Sequence, residues 1–179
     1  DGWTMSEHEQ VGVLTFPQII ANASNVGVIK VAQKIGRDPL YKTSRNYGFG
    51  SYTGLAFPGE SQGVLRKKSE WNHMSIASIS IGYEVGVTAL QIASAYAAIA
   101  NGGVLLKPQL VKQIINEDGE IVYKSKPEPI RKIVKSEIMY KMKGILEKVV
   151  DEGTGKKASI EGWTVAGKTG TALKYLDGS

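Results

Sequence analysis

The apolar residues of this chain recur mostly at helical spacing, broken at intervals by capping and turn residues. Thr15-Phe16-Pro17 has a hydroxyl cap followed by proline in the first turn, and it predicts a short helix to about Asn22. A second helix opens at Ser24 or Asn25. Val28, Val31 and Ile35 fall on one of its faces and Gly36 supplies a left-handed stop, so the small residues 21–24 form a helix-to-helix joint. Asp38-Pro39 opens a third helix by the same cap-plus-proline logic, fading at Gly48. Residues 48–72, rich in glycine, serine and proline, read as a long surface excursion.

Thr88 and Gln91 then make a capping box ahead of ALQIASAYAAIA, whose short side chains suit close packing. Asn101-Gly102-Gly103 ends that helix, which is expected to be central and mostly buried. After Pro108 the pattern alternates as a strand through Ile115, turns at Asp118-Gly119 and returns through Ile121 to Tyr123, a hairpin that Pro127 and Pro129 break off. Ser136 caps an amphipathic helix with Ile138, Met142, Ile145 and Val149 on one stripe, stopped by Gly153 and Gly155. Trp163-Thr164-Val165 is β-prone and delivers the chain as a strand into AGKTGTA.

Composition narrows the chemistry. The 179 residues are 42% apolar, enough for one globular domain or a large piece of one. Lysine and arginine number 22 against 17 acidic residues, a net +5, but the charge is scattered and forms no basic stripe with interleaved aromatics, so nucleic acid is not an expected partner. The absence of cysteine excludes thiolate catalysis, and the two histidines, His8 and His73, make no ligand-spaced cluster, so no catalytic metal is expected. No apolar run approaches the roughly 20 residues of a membrane span and no signal peptide opens the chain. Beginning at Asp1, the sequence reads as an excised piece.

Gly162 to Ala172, GWTVAGKTGTA, fits two unrelated machines. Its first eight residues satisfy the phosphate-loop pattern G-x-x-x-x-G-K-[ST], and its last six contain the K-T-G element of penicillin-recognising acyl transferases. A phosphate loop needs its strand before the first glycine and a helix starting at Gly-Lys-Thr. Here bulky Trp163, Thr164 and Val165 lie between the glycines, and too little chain follows for the parallel sheet such sites need. A strand ending in Lys-Thr-Gly instead displays an ammonium and a hydroxyl along a cleft, with a glycine where substrate backbone approaches.

Four ordered tracts agree with the second reading: ASNVGVIKVAQKIG at 23–36, YGFGSYTGLAFPGE at 47–60, SISIGYEVGVTALQIASAYAAIANGG at 78–103 and EGTGKKASIEGWTVAGKTGTA at 152–172. With them the chain resembles the transpeptidase domain of class B penicillin-binding proteins almost end to end. That resemblance implies an α/β fold, an antiparallel sheet packed by helices plus a helical subdomain, with the site in the cleft between them. It implies a serine acyl-enzyme reaction on the D-Ala-D-Ala end of peptidoglycan stem peptides, blocked by β-lactams, without a cofactor. It also implies work at the extracytoplasmic face of the bacterial membrane on an N-terminal anchor, beside other cell-wall assembly proteins. Carried over residue by residue, Asn25 of the Ser-x-Asn motif would orient the substrate backbone, Lys168 would supply positive charge, and Thr169 a hydroxyl for the substrate carboxylate. Gly170 would allow close approach, and the N–H of Thr171 would serve as an oxyanion donor.

Two departures qualify the resemblance. Ala23 stands where the family usually has the Ser-x-Asn hydroxyl, with Ser24 one residue away and expected to point elsewhere; helix packing is one reading of Ala23. No serine in the chain has lysine three residues on, so the S-x-x-K nucleophile is expected upstream and residues 1–179 are expected to be a partial, inactive portion of the domain, without the sheet strands that normally follow. Three readings stand: a portion of an active D,D-transpeptidase, a non-catalytic relative acting as a cell-wall scaffold, and a β-lactamase or carboxypeptidase cousin.

Overall fold

The computed structural model describes residues 12–55 and 57–170, which divide into two compact units. The first comprises residues to Leu40, Lys67–Glu84 and the chain from Lys141; the second comprises Tyr41–Arg66 and Val85–Tyr140.

In the first unit, α1 (Phe16–Ala21) starts as the sequence predicts: Gln18 Oε1 accepts from both the Thr15 N–H, at 2.9 Å, and the Thr15 hydroxyl, at 2.8 Å. It ends in a Schellman motif, with Ser24 N–H donating to Ile19 C=O at 3.0 Å and Ala23 N–H to Ile20 C=O at 3.3 Å. The αL position of that motif, usually glycine, is Ala23 at φ 55°. α2 (Asn25–Ile35) follows at once, capped by the Ser24 hydroxyl accepting from Gly27 N–H at 2.9 Å, and stops at Gly36, φ 86°. Its buried residue is Ala32, with Val28 and Val31 half-buried, whereas Ile35 is 52% exposed; the packed stripe is turned from the one expected toward Ala32 because α2 packs on the helix Ser75–Ser80.

α4 (Ser75–Ser80) is a helix that the periodicity does not announce. Asn72 starts it, its Oδ1 accepting from Met74 N–H at 2.8 Å and Ser75 N–H at 3.1 Å, and the fully buried Ser75 hydroxyl donates to Glu84 Oε2 at 2.9 Å. Trp71 just before it is buried, so the excursion expected over 48–72 is not all surface. α3 (Arg37–Asn46) begins before Asp38, not at it: Asp38 lies in the first turn and pairs with Lys68 at 2.9 Å, which holds its carboxyl below the usual range. Ile19, Ala32, Trp71, Ala77 and Ile79 form the core with Leu146, Val149 and Val150 from the far half of α6 (Ser136–Asp151).

In the second unit, β1 (Val64–Leu65) and β2 (Val85–Gly86) pair antiparallel, and α5 (Ala89–Ala100) starts at the expected box: Thr88 Oγ1 accepts from Gln91 N–H at 3.1 Å. Only one face of α5, Gln91, Ala95 and Ala98, is buried; Ile92 and Tyr96 are exposed, so the helix is amphipathic rather than central. β3 (Val104–Leu106) pairs with β6 (Pro129–Lys132), a pairing the sequence reading replaces by a break at Pro127 and Pro129, and the predicted hairpin is β4 (Gln113–Ile115) with β5 (Ile121–Lys124). α6 starts at Ser136, but Ile138 is 51% exposed and Met139 is buried, so its packed stripe is also rotated from the predicted one. The strands form two-stranded antiparallel sheets, and the larger sheet implied by the resemblance is absent among the described residues.

Candidate active site

The residues that sequence reasoning singles out, Thr171 apart, lie in the first unit; Thr171 lies outside the described residues. Asn25 is exposed at the first position of α2, immediately after the Ala23-Ser24 joint. That joint settles what the two small residues do. Ala23 is exposed and holds the left-handed turn that ends α1, so its expected helix-packing role is wrong. A non-glycine residue there costs about 1–2 kcal/mol. Ser24 is buried with its hydroxyl engaged by Gly27 N–H, a cap typically worth about 1 kcal/mol, and is not available as a substitute for a hydroxyl at position 23.

The Lys-Thr-Gly segment is not a strand among the described residues. The ladder closes after an isolated bridge between Ile160 and Trp163, and residues 164–170 pair with none of the described strands, so β-prone side chains find no neighbour. Nor does a helix start at Gly167-Lys168-Thr169, as a phosphate loop would require. The segment is tied down otherwise. Gly167 N–H donates to Leu146 C=O of α6 at 3.2 Å. The Lys168 ammonium donates to the Thr169 carbonyl and hydroxyl, each at 3.2 Å. Lys168 is half-buried, and burial lowers its pKa; among the described residues it pairs with no carboxylate.

Thr154 is the residue that sequence reasoning passed over. Its hydroxyl lies 2.7 Å from the Thr169 hydroxyl, and its N–H donates to Ala21 C=O at the end of α1, at 3.2 Å. Gly153 beside it abuts the same Ala21 carbonyl so closely that a Cβ would overlap it. Gly153, read as a helix stop, therefore also lets this turn lie backbone to backbone on the joint that carries Asn25, while Gly155 packs on Val149 of α6. One threonine thus connects the Ser-x-Asn joint to the Lys-Thr-Gly segment. Its only sequence signal is its place inside the tract EGTGKK.

Among the described residues no cluster of metal-ligating side chains occurs, and no helix is long and apolar enough to cross a membrane. A half-buried cation that has no carboxylate partner among the described residues and lies beside a threonine hydroxyl is chemistry suited to an anionic group such as a carboxylate.

The family model for the penicillin binding protein transpeptidase domain matches residues 1–179. The chain is 33% identical over 180 residues to penicillin-binding protein PbpB of Mycolicibacterium smegmatis, covering 96% of this chain and 28% of that protein. It is 33% identical over 177 residues to stage V sporulation protein D of Bacillus subtilis, covering 98% and 27%. Against peptidoglycan D,D-transpeptidase FtsI of Escherichia coli it is 32% identical over 174 residues, covering 97% and 28%. Among solved structures it is similar to penicillin binding protein 3 of Mycobacterium tuberculosis complexed with aztreonam, with a TM-score of 0.89, 32% identity and coverage of 99% of this chain and 41% of that one. The chain therefore spans under a third of the length of these full-length relatives.

Proposed function

The chain belongs to the penicillin-binding protein transpeptidase family, and on that premise we propose that it is part of a serine-type D,D-transpeptidase that cross-links peptidoglycan stem peptides outside the cytoplasm. The observation that carries this is the Lys168–Thr169–Thr154 cluster, anchored through Ala21 to the joint that bears Asn25. A serine supplied from outside residues 1–179 attacks the penultimate D-alanine carbonyl, and the terminal D-alanine leaves as its amine, taking a proton. The amine of a second stem peptide then attacks the ester, forming the cross-link amide and returning the serine hydroxyl. In a β-lactam the broken amide is in the ring, so the leaving group stays attached and the acyl-enzyme persists.

The roles follow from the chemistry of each group. Lys168 and the Thr169 hydroxyl bind the terminal carboxylate, or the acidic group of a β-lactam. Asn25 hydrogen-bonds the substrate backbone. A Cβ at Gly170 would meet no atom of the described residues, so no internal contact demands a glycine there; its open side accommodates substrate. Thr171 N–H serves as an oxyanion donor.

A second reading, a non-catalytic scaffold of cell-wall assembly, is favoured by one observation: position 23 has no hydroxyl and the Ser24 hydroxyl is occupied. Intact-mass measurement of the folded, full-length protein after exposure to benzylpenicillin separates them. The expected result is one covalent penicilloyl adduct on a serine outside residues 1–179. A folded protein that gains no mass is the scaffold.

The Thr154 contact makes a finer prediction. Thr154→Val keeps the shape and removes the hydroxyl that fixes Thr169, and should weaken the initial penicillin complex roughly 3- to 10-fold, the equivalent of one net hydrogen bond. The first-order acylation step should change less, and Thr154→Ser should restore binding. Acylation progress curves over a range of penicillin concentrations separate the two constants; equal loss in both would leave Thr154 with a general structural role.

A further inference from the structure

The turn that ends α6 is held from both sides. Glu152 N–H and Gly153 N–H donate to Lys148 C=O at 2.9 and 3.0 Å, and Gly155 N–H donates to Val149 C=O at 2.8 Å, so the turn is fixed to its own helix. That end of the helix is fixed in turn, because Leu146, Val149 and Val150 are core residues. On its other side the turn meets the end of α1. The carbonyls of Ile19 and Ile20 are used inside the Schellman motif, whereas Ala21 C=O accepts from Thr154 N–H at 3.2 Å. Ala21 is buried, and Asn25 stands four residues beyond it.

Gly153 lies in this contact. A Cβ there would overlap the Ala21 carbonyl oxygen and stand 2.9 Å from its carbon and 3.0 Å from Val149 C=O. Gly153 is not one of the glycines with positive φ, so close approach, not backbone conformation, demands a glycine here. The α6 side cannot absorb an added methyl, since Gly153 and Gly155 are both bonded to the helix. Ordinary non-bonded separation would return only by moving the end of α1 by on the order of 1 Å. The Lys-Thr-Gly segment stays with α6, through Gly167 N–H to Leu146 C=O and the hydroxyl pair of Thr154 and Thr169. Lys168 and Thr169 therefore lie on one side of this contact and Asn25 on the other.

We propose that Gly153 is a positioning residue, setting the separation between Asn25 and the Lys168–Thr169 pair through its backbone contact with Ala21. The inference rests on the transpeptidase reading. In the full-length protein, Gly153→Ala should lower the first-order acylation constant for benzylpenicillin about 10²-fold, the loss typical of a reacting geometry misplaced by about 1 Å. Affinity in the initial complex should stay within about threefold, because the carboxylate contacts move with α6. That split is the reverse of the one expected for Thr154→Val. A merely structural role would lower the fraction of protein that reacts and leave both constants of the remainder alone. Gly144→Ala, in the middle of α6 where a Cβ meets nothing within 4 Å, should stabilise the helix and change neither constant. A Gly153→Ala protein with the wild-type acylation constant, or with both constants lowered alike, overturns the proposal and leaves the transpeptidase reading intact; a folded wild type that forms no adduct ends both. If Gly153→Ala does not fold, amide exchange in the wild type decides. Thr154 N–H should exchange through the same opening as Ser24 N–H, which donates to Ile19 C=O at 3.0 Å in the joint. A Thr154 amide that exchanges as an unprotected group overturns the proposal.

Discussion

Replacing Lys168 with alanine should slow acylation of the full-length protein by benzylpenicillin about 10²- to 10³-fold, the loss typical of one preorganised electrostatic group at a reacting centre. The size of the effect follows from the position of the ammonium. It is half-buried, where a charge acts through less water than at the surface, and it already donates to the neighbouring Thr169 hydroxyl. Burial also gives the prediction a pH signature. Removing water disfavours the charged form, so the pKa of Lys168 lies below that of an exposed lysine. In the proposed role it is the charged form that binds the carboxylate; acylation should therefore be supported below the lowered pKa and fall as pH rises through it, earlier than an exposed lysine would allow. Lys168→Arg should remove that alkaline limb while retaining part of the rate, because guanidinium stays charged. Second-order acylation rates across a pH series measure both effects. A Lys168→Ala protein within about threefold of wild type would sink the electrostatic role, since a group worth several kcal/mol cannot be removed so cheaply.

Local chemistry was legible where the decisive partner is near in sequence. The helix start at Thr15, the stop at Gly36, the capping box of Thr88 and Gln91 and the turn at Asp118-Gly119 each depend on residues a few positions apart, and each stands where it was read, although the Thr15 hydroxyl donates to Gln18 rather than capping a helix N–H. Non-local decisions were not legible. β3 and β6 find each other across a hairpin, and prolines that argue against a strand are tolerated because, among the described residues, β6 has one neighbour rather than two. The stripes of α2 and α6 are rotated because burial is decided by what packs on them: Ala32 is covered and Ile35 is not, Met139 is buried and Ile138 is not. α4 is too short, and too rich in serine and isoleucine, for periodicity to separate helix from strand. At the candidate site, the resemblance pointed to Asn25, Lys168 and Thr169, but Thr154 sits in a glycine-flanked turn with no periodicity, and only folding brings its hydroxyl to Thr169. Likewise Ala23 could be seen to lack a hydroxyl, but not that its backbone is left-handed.

Gln91→Leu should cost about 2–4 kcal/mol of stability although it replaces a polar side chain by an apolar one of similar size at a fully buried position. The capping box that announces this residue in the sequence accounts for half of its bonding: Oε1 accepts from Thr88 N–H at 2.9 Å. The amide nitrogen faces the other way and donates to Ser51 C=O at 2.8 Å and Gln62 C=O at 2.9 Å, with Gly48 C=O at 3.4 Å. One side chain thus closes the excursion 48–63 onto α5, at both of its ends. The backbone there has little freedom to compensate, since a Cβ on Gly63, at φ 67°, would collide with the Gly86 carbonyl and meet Gln91 Oε1 itself. Leucine fills the volume but leaves the Ser51 and Gln62 carbonyls without this donor and the Thr88 N–H without its acceptor, while Gly48 C=O keeps the Ser51 N–H; each buried unpaired group costs about 1–3 kcal/mol, eased where the loop opens to water. The loss should therefore be local before it is global. In the full-length protein, amide exchange should quicken in residues 48–66 and at the start of α5 while α4 keeps its protection, and the denaturation midpoint should fall. Gln91→Glu should be no better, because a carboxylate presents acceptors to carbonyls that need a donor, and lowering pH through its titration should recover part of the stability as protonation supplies one. A Gln91→Leu protein with wild-type exchange across 48–66 would mean that the turn is held by Arg45, whose Nη1 donates to Gly50 C=O at 2.7 Å, and by the β1–β2 pair, and that Gln91 is only a cap.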